Sequence, residues 1–88
     1  MRKSTHSPEF RLLREELVRI RTSAGLSQRD LAAKLAVSPS WVAKVETGER
    51  RIDLIELGWL ITACGADVAG AFKRLSRMFP VWKGGRPV

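Results

Sequence analysis

Two helix-start signals stand close together at Ser27 and Ser38, and they leave room between them for one short helix, a tight turn and the start of another. The segment from Gln28 to Thr47 reads QRDLAAKLAVSPSWVAKVET. The Ser27 hydroxyl can cap the free amides of a first turn, with Asp30 as the acidic partner of a capping box. Leu31, Ala32 and Leu35 then fall on one helical face. Ser38 caps the second helix, and Pro39 follows at the first helical position, where a missing N–H costs nothing. Val42 and Val45 supply the inward face. Gly48 closes the helix, since glycine takes the left-handed conformation that satisfies the last carbonyls.

Helices crossing steeply over a short turn need a small residue where their backbones approach, and Ala32 is placed for it. The run LSQRDLAAKLAVSPSWVAKVETGERR resembles the Cro and phage-repressor (XRE-type) helix-turn-helix regulators, over roughly Leu12 to Leu75. The resemblance rests on Leu26 to Gln28, on Ala32, on the Val37–Ser38 pair and on Glu46 with Gly48. It departs at Ala36, where that family usually has glycine, so the turn is expected to carry slight strain. It implies an all-α fold, a compact five-helix lambda-repressor-like domain, and a transcriptional regulator that binds double-stranded DNA.

The rest of the chain fits one domain of this kind. At 88 residues it is long enough for a single small core. Residues 1–6 read as a flexible basic arm, 7–79 as the folded domain and 80–88 as a loosely ordered tail. Ser7 and Pro8 start a first helix with Phe10, Leu13, Leu17 and Ile20 on one face, stopped at Gly25. Asp53 and Glu56 repeat the capping-box spacing before Leu57, Leu60, Ile61 and Cys64, up to Gly65. Asp67 caps a fifth helix with Val68, Ala71, Phe72, Leu75 and Met78 or Phe79 on its apolar side, ended by Pro80.

A net charge of +7 favours a polyanionic partner, most simply nucleic acid. In helix-turn-helix proteins the start of the second helix enters the major groove. The base-reading candidates are therefore Ser38, Pro39, Ser40, Ala43, Lys44 and Thr47. Lys44 leads, because an ammonium can donate to guanine O6 and N7; Ala43 suits a thymine methyl. With few bidentate side chains on this helix, part of the specificity is expected from DNA shape. Gln28, at a helix amino terminus, is placed for a backbone phosphate, and the resemblance assigns the matching glutamine that role. Arg29, Arg50, Arg51 and the indole N–H of Trp41 are further phosphate candidates, with Arg2 and Lys3 weaker ones. The ring of Trp41 is expected to pack in part against helix one or the edge of the motif, with its indole N–H left free for water or phosphate. The resemblance also pairs Arg21 with Glu46 as a structural link between helix one and the recognition helix.

One module buries only about 600–1,000 Å² on DNA, which gives a motive for pairing as a homodimer on an inverted repeat. Trp59, Phe72, Leu75, Phe79 and Trp82 are the candidate interface, with ordinary core packing as the alternative for the fifth-helix residues. A second functional reading is an antitoxin-like interaction module that binds a protein partner as well as DNA.

Catalysis is not expected. The one histidine, His6, lies in the arm; Glu15 and Glu16 are neighbours pointing different ways; Ser38 and Ser40 lack an activating base. The lone Cys64 excludes an internal disulfide and a multi-cysteine metal site, and no cofactor is implied. No apolar run is long enough for a bilayer and the amino terminus lacks a signal-peptide pattern. The expected setting is the bacterial cytoplasm, or that of a phage-infected cell, with the protein on the nucleoid when bound.

Overall fold

Each helix begins on a side chain that accepts a backbone amide: Ser7 from Phe10 at 3.1 Å, Ser27 from Asp30 at 3.0 Å, Ser38 from Trp41 at 3.2 Å, and Asp53 and Asp67 from Glu56 and Gly70 at 2.7 Å. These caps satisfy donors that a first helical turn leaves open, and they set the five boundaries. The computed structural model describes residues 7–79. The elements are α1 (Pro8–Ser23), α2 (Gln28–Leu35), α3 (Pro39–Thr47), α4 (Leu54–Ala63) and α5 (Val68–Ser76), with no strand among the described residues. The all-α expectation holds. The expected arm and tail, with Arg2, Lys3, His6, Pro80 and Trp82, lie outside the described residues.

All five helices feed one core. Leu17 and Ile20 come from α1, Leu31 and Ala32 from α2, Val42 and Val45 from α3, Leu57, Leu60 and Ile61 from α4, and Ala71 and Leu75 from α5. Fully burying a side chain such as Leu31 or Ile61 contributes about 1.5–3 kcal/mol, so this small set holds most of the packing energy. α3 lies against α1 and α2, α4 against α2, and α5 against α4. An ion pair adds a link from α5 back to α1: Arg74 Nε donates to Glu16 Oε2 at 2.9 Å, and Arg19 Nε donates to Glu16 Oε1 at 2.9 Å.

One expectation for the carboxy-terminal part is corrected. α5 stops at Ser76, so Met78 and Phe79 are not on the helix; Met78 packs against the core from the following turn, and Phe79 is exposed. Of the two readings of Leu75, the structure fits core packing: it shares the inward face of α5 with Ala71 and is buried in the core. Phe72 is half-buried against the same core.

Candidate nucleic-acid interface

The turn between α2 and α3 is set by two backbone hydrogen bonds. The Val37 N–H donates to the Ala32 carbonyl at 3.0 Å and the Ala36 N–H to the Ala33 carbonyl at 3.3 Å, which is the pairing of a Schellman C-cap. Ala36 has φ 57° and ψ 42°, and it is the one non-glycine residue with positive φ among those described. A β-carbon crowds the backbone there. The methyl of Ala32 is buried where α2 meets α3, as the crossing of the two helices requires.

That turn aims α3. Val42 and Val45 face the core, while Ser38, Pro39, Ser40, Lys44 and Thr47 are exposed and Ala43 is half-exposed. The hydroxyl of Thr47 donates to the Lys44 carbonyl at 3.2 Å, turning it back on its own helix. Lys44 and Ser40 have no side-chain hydrogen bond or ion pair among the described residues, which leaves both available to a ligand on the outward face. At the far end, Gly48 has φ 86°, and a β-carbon built there would lie 2.9 Å from Nη1 of Arg14. The guanidinium of Arg14 therefore covers the carboxy-terminal end of α3, where the helix dipole favours a cation. Sequence reasoning overlooked Arg14, because nothing local marks a residue on α1 as the neighbour of Gly48.

Glu46 joins three helices. Its carboxylate accepts from Arg21 Nε at 2.6 Å, from Arg21 Nη2 at 3.0 Å and from Gln28 Nε2 at 2.9 Å. Arg21 Nη1 also donates to the Leu26 carbonyl at 2.8 Å, which ties down the segment leading into α2. The hydrogen bond to Glu46 raises the pKa of Arg21 above its ordinary value, so the guanidinium remains charged. Gln28 thus has one amide hydrogen committed to Glu46. Its second amide hydrogen and the backbone amides of Gln28 and Arg29 remain at the start of α2, because the capping box takes the amides of Asp30 and Ser27.

The connection after α3 contains two arginines in different situations. Arg50 Nη2 donates to Glu56 Oε2 at 3.0 Å, and its guanidinium carbon sits 5.1 Å from the ring centroid of Trp41. Trp41 itself packs on the core, in line with the packing reading, and leaves an indole with a buried side and a face covered by a cation. Glu56, recognised in the sequence only as a helix cap, also anchors Arg50. Arg51 is exposed and has no ion pair among the described residues, as does Arg29 on α2. Among the described residues no three metal-ligating side chains gather, and no helix is long and apolar enough to cross a membrane.

A short helix held by its inward face, with Lys44 outward and with Arg29 and Arg51 exposed and without an ion pair among the described residues on the flanking segments, defines a helix-turn-helix DNA-binding domain. A family model described as a helix-turn-helix domain matches residues 9–71. A solved structure described as an XRE-family like protein from Pseudomonas syringae pv. tomato str. DC3000 is 35% identical, with a TM-score of 0.76 over 82% of this chain and 88% of that one. No curated protein matches the chain. The chain belongs to the XRE-type helix-turn-helix regulators.

Proposed function

We propose that the protein is a transcriptional regulator that binds an inverted-repeat operator as a homodimer, with α3 of each copy in the major groove. The observation that carries this reading is the outward face of α3, where Lys44 and Ser40 are exposed on the side away from buried Val42 and Val45, with Pro39 exposed at the start of the helix. Lys44 donates to guanine O6 or N7, Ser40 to a neighbouring base, and Ala43 rests against a thymine methyl. Gln28, Arg29 and Arg51 hold phosphates on either side, and these contacts fix the register without carrying sequence information. Arg50 supplies less, since Glu56 already offsets its charge. Two copies reading half-sites about 34 Å apart double the length of the recognised sequence.

The test is selection of the pure protein on random duplex DNA, with Lys44→Ala beside it. The wild type is expected to return an inverted repeat, and the variant to lose information at one base pair in each half-site. Sequence-blind, salt-sensitive binding by the wild type would overturn the proposal.

A further inference from the structure

α4 turns Leu57, Leu60 and Ile61 into the core. The opposite arc of the same helix, following its 3.6-residue period, holds Ile55, Gly58, Trp59 and Thr62, with Leu54 exposed beside it at the start of the helix. Leu54, Ile55 and Trp59 are 65%, 60% and 61% exposed, and they are three of the five large hydrophobic residues that the described part of the chain exposes. The arc carries no charge. Its one side-chain polar group, the Thr62 hydroxyl, donates to the carbonyls of Gly58 at 3.0 Å and Trp59 at 3.1 Å, so it asks nothing of an outside partner.

Gly58 is a separate observation. Glycine inside a helix is less stable than alanine, and a β-carbon at this position would meet nothing within 4 Å. The fold of one copy gives no reason for it. Gly58 leaves helix backbone without a side chain beside the bulk of Trp59, so a projecting ring and a place where another surface can approach closely share one patch. Self-complementarity of that kind is what a twofold interface demands, since residue i of each copy must meet residue j of the other.

Charge selects the occupant. Two copies at +7 repel each other over most of their surfaces, and the stretch 57–66, which includes most of this arc, has no charged side chain. An acidic protein or a lipid headgroup would settle on the arginines instead. The first turn of α4 is also tied to α3, because Glu56 is bound to Arg50, which in turn covers Trp41.

We propose that the outward arc of α4 is the surface through which two copies of this chain pair, with Trp59 of each seated over Gly58 of the other; the proposal rests on the homodimer reading above and names its interface. A ten-residue helix is only about 15 Å long, and its outward arc is smaller than the roughly 800 Å² per partner of a standard interface. The pair is therefore weak in free solution and completed on DNA.

The experiment uses the full chain and the variants Trp59→Gln, Gly58→Gln and Phe79→Gln, none of which changes the charge. Sedimentation velocity reads self-association across a concentration series. Binding is compared on duplexes carrying one or both selected half-sites. Both α4 variants are expected to weaken pairing about tenfold or more, to lose cooperativity on the double site, and to bind the single half-site as the wild type does. Gly58→Gln is expected to melt no lower than the wild type, which separates lost pairing from lost folding. Phe79→Gln is expected to leave pairing intact. On the unmodified protein, isotope-filtered NOEs between labelled and unlabelled copies are expected from the Trp59 ring to the α4 of the other copy. Unchanged pairing in both α4 variants, intermolecular NOEs confined to α5, or a wild type that stays single both free and on the double site would each overturn the proposal. If pairing is lost in the α4 variants while no sequence preference exists, the DNA-reading proposal fails and the interface stands.

Discussion

Arg21 and Glu46 face each other fork to fork, with Nε to Oε2 at 2.6 Å and Nη2 to Oε1 at 3.0 Å, in a site where both side chains are nearly buried. The pair joins α1 to the end of α3, so the angle of the recognition helix depends on it. Removing one partner strands the other charge away from water. Glu46→Ala is expected to lower unfolding free energy by about 3–5 kcal/mol, read from urea denaturation. Arg21→Lys is expected to recover little, because an ammonium cannot make the two parallel bonds. A Glu46→Ala loss below about 1 kcal/mol would be the figure for a surface pair and would remove the architectural role.

Ala36 sits in the left-handed region at φ 57°. An L-residue there costs about 1–2 kcal/mol, part of which glycine gives back through greater unfolded-chain entropy. Ala36→Gly is therefore expected to raise stability by about 1 kcal/mol, a rise of roughly 4–8 °C in melting temperature for a domain this size. DNA affinity should not fall, since the turn keeps its hydrogen bonds to Ala32 and Ala33. A lower melting temperature would mean that the methyl packs more usefully than the backbone geometry indicates.

The parts of this fold that were legible in the sequence are those written locally. Ser27 with Asp30, and Asp53 with Glu56, form capping boxes because a helix start needs only residues three apart, and Gly48 marks an end by its own backbone freedom. The inward faces of α3 and α4 followed from their period. What stayed hidden crosses long stretches of chain: Arg74 reaching Glu16, Arg14 covering Gly48, and Gln28 reaching Glu46. Leu75 stayed open between two readings for the same reason, since an apolar stripe does not say whether it meets its own core or another copy. Glu56 shows one residue serving two purposes, with Oε1 accepting from the Asp53 amide and Oε2 from Arg50. The sequence announces only the first.

Glu16 gives the fold an acid limit. The hydrogen bond from Arg19, and then that from Arg74, hold its carboxyl down at about 2 against an ordinary 4.5. A carboxyl whose folded pKa is depressed stabilises the fold fully above its unfolded value and loses that contribution as pH falls through the folded one. The window is therefore pH 4.5 down to about 2. Because Arg19 and Arg74 are about half exposed, solvent screening limits the effect to about 1 kcal/mol. Glu16→Gln is expected to be less stable than the wild type at pH 7, with the difference shrinking as pH drops through that window. A difference that does not change with pH would assign the loss to packing between α1 and α5.

Arg50 and Arg51 are neighbours with the same charge, and the structure separates them. Arg50 is bound to Glu56 and stacked on Trp41, whereas Arg51 is exposed with no ion pair among the described residues. A cation that gives up its own counterions to a phosphate contributes about 0.9 to the slope of log affinity against log salt. Arg51→Ala is therefore expected to reduce that slope by about one, and Arg50→Ala by clearly less, since the latter also releases Glu56. The stability order should be reversed. Arg50→Ala removes the cation from the face of Trp41 and is expected to cost about 0.5–1 kcal/mol, while Arg51→Ala leaves the melting temperature unchanged. Affinity titrations at several salt concentrations, paired with thermal melts, measure both orders on the same two proteins. Equal slopes for the two variants would mean that DNA draws Arg50 away from Glu56, and the ion pair would then belong to the free protein alone.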